Sequence, residues 1–177
     1  MQRHFFSLGL VFVTMFAAIG LTAVPAAART TPFSFTYEGT ETDNTCSFPV
    51  ERYDVGKAMA RSSEGRFDIT NAGVATLTYL PTGLSATQKY QVLFKNFNQV
   101  DNGDGTVSGD QTTVGSSTLY GPDGEVLLRS HGPMTIHLTL RFDPFEVVSK
   151  EILFEHGSHP SDETYCQVLA EALGATV

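Results

Sequence analysis

Most of the candidate chemistry in this chain falls in one late stretch, Glu155-His156-Gly157-Ser158-His159-Pro160-Ser161-Asp162-Glu163. Two imidazoles with carboxylates nearby form the donor set of zinc and similar transition metals. His156, His159 and Asp162 are the candidate ligands. Their His-x-x-His spacing lies in a loop rather than on a helix, so spacing alone does not enforce a geometry. A solvated loop leading into a capped helix accounts for the same residues. Asp101, Asp104 and Asp110 suggest calcium, but an EF-hand loop needs Asp or Asn at its third position. Counted from Asp101, that position is Gly103. Asn-Gly and Asp-Gly at a hairpin tip explain these residues through backbone conformation. His137 shares the polar side of its strand with Thr135, Thr139 and Arg141, which would face solvent in a sandwich and line a pocket in a barrel whose hydrophobic side faces outward.

Other chemistries are excluded. No Gly-x-Ser-x-Gly elbow, phosphate loop or paired zinc-type cysteines occur. Glu151 and Glu155 lie along one strand, and that spacing does not create a glycosidase pair. Tryptophan is absent, which removes the usual sugar-stacking platform, although Tyr53, Tyr79, Tyr90 and Tyr120 replace it in part. No cofactor is implied.

The elements that hold these residues begin with an export signal. Met1-Gln2-Arg3-His4 is short and basic, an apolar run follows to Val24, and Pro25-Ala26-Ala27-Ala28 carries small residues where a signal peptidase cuts. Residues 1–28 are read as a signal peptide and 29–177 as a single secreted β domain, with no membrane anchor left after cleavage. Removing 28 residues from 177 leaves 149, enough for one domain with its own core. Ten basic residues then face 19 acidic ones, a net charge of −9. An acidic chain without a basic cluster is a poor partner for nucleic acid.

The chain has two cysteines, Cys46 and Cys166, so one pairing exists. In an exported protein the expected state is a disulfide. It closes a loop of about 120 residues, worth roughly 4–5 kcal/mol in the chain-entropy model.

Between the cysteines the pattern is one of strands. Phe33, Phe35 and Tyr37 alternate with polar residues. Cys46, Phe48 and Val50 alternate likewise, with Pro49 placing that segment at an edge or bulge. The apolar phase then moves to Tyr53 and Val55, which predicts a bulge near Glu51 or Arg52. Turns are expected at 38–44, 62–65, 71–73, 81–83, 101–106, 121–124 and 143–144. Tyr90, Val92 and Phe94 share one face of a long strand. Met134, Ile136, Leu138, Leu140 and Phe142 give the cleanest alternation. Ser161 to Thr164 has N-cap character, and Cys166, Leu169, Ala170 and Leu173 fall on one face of a short helix that Gly174 ends. The fold expected is all-β: an antiparallel meander closed as a barrel or folded as a sandwich. It has roughly nine or ten strands and a short C-terminal helix.

Phe33-x-Phe35-x-Tyr37, the Cys-x-Phe-Pro-Val segment at Cys46 to Val50, the Asp-Gly-Thr turn at Asp104 to Thr106 and a late Cys before a helix occur here together. In this combination the chain resembles a group of small secreted actinobacterial proteins. The resemblance implies export, an all-β fold and a disulfide, and no activity.

The function expected first is an extracellular binding module acting as a monomer. It would take an apolar or amphipathic small molecule, lined by Tyr90, Val92 and Phe94. The second is a protein-interaction factor, an inhibitor or envelope component, whose partner is an extracellular protein. The third is a metal-dependent enzyme using the late His-Asp loop.

Overall fold

The computed structural model describes residues 32–63, 66–143 and 145–176; the expected signal peptide lies outside them. Seven strands and a helix make up these residues. The strands are β1 (Phe33–Asp43), β2 (Val50–Ser63), β3 (Arg66–Tyr79), β4 (Leu84–Asp101), β5 (Thr106–Tyr120), β6 (Val126–Phe142) and β7 (Phe145–Glu155), and the helix is α1 (Asp162–Leu173). Each strand runs antiparallel to the next and the sheet order is the chain order. Short turns force this meander, because a tight reversal returns the chain beside the strand it has just left.

The all-β meander with its terminal helix is as the sequence predicts, but two details are corrected. The strands form one sheet with β1 and β7 at its edges, so it is neither closed as a barrel nor folded as two packed sheets. Seven strands stand where nine or ten are expected, because the turn expected at 71–73 lies inside β3, and because 107–113 with 117–120, and 125–130 with 134–142, expected as separate strands, run on as β5 and β6. Gly73, Gly115 and Gly132 lie within β3, β5 and β6. The glycines there answer to close approach rather than to chain reversal. A Cβ on Gly73 would come within 2.6 Å of the Tyr90 hydroxyl, and one on Gly115 would strike the Gln91 carbonyl.

The turns at 81–83, 101–106 and 121–124 stand where the sequence places them, whereas the turn expected at 38–44 is part of β1 as far as Asp43 and those at 62–65 and 143–144 lie partly outside the described residues. Gly83 closes the β3–β4 turn with φ 71° and donates its N–H to the Tyr79 carbonyl. At the β4–β5 tip the Asp104 carboxylate accepts from the Thr106 N–H at 3.0 Å, while Gly103 and Gly105 take positive φ. Ser161 caps α1 through the Thr164 N–H, and Gly174 ends it in the left-handed region. Thr45 to Pro49, expected to be strand, is the loop before β2; Pro49 lacks the donor a ladder needs.

Alternation gives the sheet two faces, and α1 lies on the inner one. Tyr165, Leu169, Ala170 and Leu173 of α1 pack with Phe48, Val50, Leu77, Ala86 and Leu119. The Cys46–Cys166 disulfide bonds the β1–β2 loop to the helix. At the helix C-terminus the Thr82 hydroxyl donates to the Leu173 carbonyl at 2.8 Å. Further along the same face is a second apolar cluster of Tyr37, Ala58, Ile69, Ala75, Tyr90, Val92 and Phe94, with Phe35 against it.

Candidate functional site

Between the helix-covered cluster and the second cluster, the inner face turns polar. Asp43, Arg52, Asp54, Asn71, Gln88 and Ser117 are all buried there. Pairing aligns them in rows across the sheet. One row runs Gly39, Asp54, Ala75, Gln88, Leu119; the next runs Tyr37, Gly56, Gly73, Tyr90, Ser117; the third runs Phe35, Ala58, Asn71, Val92, Gly115.

The glycines of the middle row make space for the tyrosines. A side chain on Gly56 would collide with the Tyr37 phenol, and one on Gly73 with that of Tyr90. The two rings therefore reach over β2 and β3 toward each other, and their hydroxyls meet at 2.8 Å. Tyr37 also donates to Oδ1 of Asn71 at 2.7 Å. Tyr90 donates to Asp54 at 2.8 Å. Asp54 accepts from both Nε and Nη2 of Arg52, and Nη1 of Arg52 reaches the Gln88 carbonyl oxygen at 3.3 Å. Gln88 in turn donates to the Ser117 hydroxyl at 3.0 Å. Asp43 and Glu41 stand 3.6 and 4.0 Å from the same guanidinium.

The electrostatics follow from burial. Desolvation opposes charge on Arg52, but its hydrogen bonds to Asp54 outweigh that, and the guanidinium is held charged more firmly than usual. Burial, then the neighbouring phenol and the Asp54 charge, raise the Tyr90 pKa well above that of an ordinary phenol. Burial likewise raises that of Tyr37. Both phenols keep their protons at neutral pH. Burial raises the Glu41 pKa, against the pull of Arg52.

Asn71 is the exception in an otherwise satisfied network. It has no exposed surface, its Oδ1 accepts from Tyr37, and its Nδ2 has no hydrogen-bond partner in the structure. An orphaned buried amide atom costs about 1–3 kcal/mol. A bound polar group would remove that cost.

Sequence reasoning finds part of this site. Tyr90, Val92 and Phe94 are buried side by side on the inner face, as their spacing predicts. It misses Arg52, Asp54 and Asn71. The bulge expected near Glu51 or Arg52 does not exist: β2 pairs with β1 and β3 without a register shift. Instead the polar Arg52 and Asp54 point inward while Tyr53 and Val55 are exposed on the outer face. That inverted alternation, polar inside and apolar outside, is itself the signal of a buried ion pair.

The late loop is arranged otherwise. His156 is exposed, and the His159 ring reaches the His156 carbonyl at 3.3 Å and the Ser130 hydroxyl at 3.4 Å. Asp162 begins α1. Among the described residues no three His, Cys, Asp or Glu side chains come together as a metal site. His137 lies on the outer face, 2.7 Å from Asp110, flanked by the pairs Thr112–Thr135 and Ser108–Thr139. This is a cross-strand polar ladder, which stabilises a sheet without catalytic demand.

Comparison with family models, with curated proteins and with solved structures found no match. No helix among the described residues is long and apolar enough to cross a membrane.

Proposed function

We propose that this is a secreted binding module for an apolar or amphipathic small molecule, with the ligand on the inner face beside Asn71. Export with cleavage after Ala28, and kinship with the secreted actinobacterial group, belong to the same proposal. The Cys46–Cys166 disulfide fits an extracellular protein.

The carrying observation is the orphaned amide atom of Asn71, set where a hydrogen-bonded polar layer meets an apolar cluster. Ligand sites combine apolar lining with a few placed polar groups. Here Val92, Phe94, Ile69 and Phe35 supply the lining, and Asn71 supplies the unmet polar group. Tyr37, Tyr90, Asp54 and Arg52 hold that amide in place from the other side.

Native mass spectrometry on protein purified from culture medium tests this reading. The expected mass begins at Arg29, is two hydrogens light, and carries a small-molecule adduct. A chain that retains residues 1–28, or one that arrives bare and fails to bind Nile red, contradicts it.

A protein-interaction role has one observation in its favour. Among the described residues β1 and β7 each pair on one side only, and β7 exposes Val147, Val148, Leu153 and Phe154. An extended segment of an extracellular protein could add to that edge as a further strand. Deuterium exchange that slows at 146–154 on mixing with culture proteins would favour this second role over the first.

A further inference from the structure

Helix α1 covers the inner face of the sheet, and the outer face carries exposed apolar residues of its own. Pairing aligns Glu38 of β1, Val55 of β2, Val74 of β3 and Lys89 of β4 in one row across it. All four are exposed, the two valines by 43% and 41%. The apolar strip continues along the strands through Ala72 and Met59, also exposed. A lone exposed valine is ordinary. Two valines paired across strands, with opposite charges at the two ends of their row, form a contiguous patch with a polar rim.

Both charges are held at this face by aromatic neighbours. The Tyr53 hydroxyl donates to Glu38, and the Lys89 ammonium lies 5.2 Å from the centre of the Tyr120 ring. The row therefore reads acidic, apolar, apolar, basic. A half-turn about an axis running along the strands, between β2 and β3, reverses that order. A second copy laid face to face by this half-turn sets each Val55 on the other chain's Val74 and each Glu38 on the other chain's Lys89. A half-turn about the row itself would set Glu38 on Glu38 and Lys89 on Lys89. Like charges in contact oppose association, so charge selects the first arrangement. Two-fold symmetry makes each contact twice. Aligned sheets pack about 10 Å apart and cross at roughly 30°, and the row at the crossing point keeps its partners despite the angle.

We propose that the outer face is the interface of a homodimer, in place of the monomer expected from the sequence. The inner faces then point away from the interface on both sides. The inference therefore goes beyond the ligand reading and stands or falls separately from it.

Sedimentation equilibrium of the full chain, expressed in a secreting host and oxidised, is the test. The native chain should sediment as a dimer. Glu38→Lys and Lys89→Glu should each raise the dimer Kd at least about tenfold, because each sets like charges together twice. Combining the two exchanges the charges, restores both ion pairs, and should bring the Kd back to within about threefold of the native value. Both positions are exposed, where substitutions seldom disturb folding. A native chain that is monomeric at every concentration overturns the inference. So does a dimer that neither single variant weakens, which would place the contact at another surface such as the β7 edge. A combined variant no tighter than the single ones overturns it as well, since Glu38 and Lys89 would then not face each other.

Discussion

Tyr37 and Tyr90 stand three strands apart in the sheet, yet their hydroxyls touch at 2.8 Å above Gly56 and Gly73. One cross-strand row thus has a large residue at each end and two residues without side chains between. The row forms the end of the second apolar cluster that faces the polar layer, with Asn71 in the row beside it. Its geometry depends on those glycines staying bare.

Gly56→Ala is accordingly expected to cost about 1–3 kcal/mol, the range for overpacking a buried site. Gly39→Ala, one row away with nothing within 4 Å of its added methyl, should stay within about 0.5 kcal/mol. Urea denaturation of the two variants checks the contrast. Equal effects would mean the tyrosines do not lie over the glycines.

Arg52 holds the polar layer together. Arg52→Leu strands the buried Asp54 and Asp43 carboxylates and should cost about 3–5 kcal/mol. Arg52→Leu with Asp54→Leu removes the charge along with its partner and should recover much of that loss. A double variant as unstable as the single one would show that Asp54 is not the main partner.

How much of this was open to a reader of the sequence depends on which face a residue takes. Tyr37 and the set Tyr90-Val92-Phe94 obey the rule of apolar inside, so period-two reading finds them, whereas Phe33 at the start of the same pattern is exposed. Arg52 and Asp54 break it, and the same rule therefore produces a bulge that is not there. Gly73 reads as a turn because glycine serves chain reversal and close approach alike, and the crossing residue lies on another strand. The contact of Tyr37 with Asn71, 34 residues on, depends on register, which no local pattern carries. Helix α1, by contrast, is legible residue by residue from its Ser161 cap to Gly174, since its signals are local.

The buried phenols make the fold sensitive to alkali. Burial raises the folded-state pKa of Tyr37, Tyr90 and Tyr165 above the ordinary phenol value. Below about pH 10 they are protonated folded or unfolded, and their contribution is fully present. Above it the unfolded chain loses protons that the folded chain retains, so stability falls as pH rises. Alkaline melting curves should therefore flatten in Tyr90→Phe and Tyr165→Phe. An unchanged slope in both would show that these phenols ionise freely.

The disulfide joins Cys46 and Cys166 across 120 residues. Replacing both with serine should cost roughly 4–5 kcal/mol in the chain-entropy model. Because the bond fixes α1 to the β1–β2 loop, hydrogen exchange should quicken first across 162–173. Uniform quickening over the whole sheet would mean that the helix is not the part the bond secures.

The central claim is that the inner face beside Asn71 receives a small molecule. Its most direct test is an NMR titration of the isotopically labelled, oxidised protein with decanol. Saturable shifts at Tyr37, Asn71, Tyr90, Val92 and Phe94, with the Asn71 side-chain amide among the largest, are predicted. Shifts confined to the outer face or to the His156–Asp162 loop, or none at all, would contradict it.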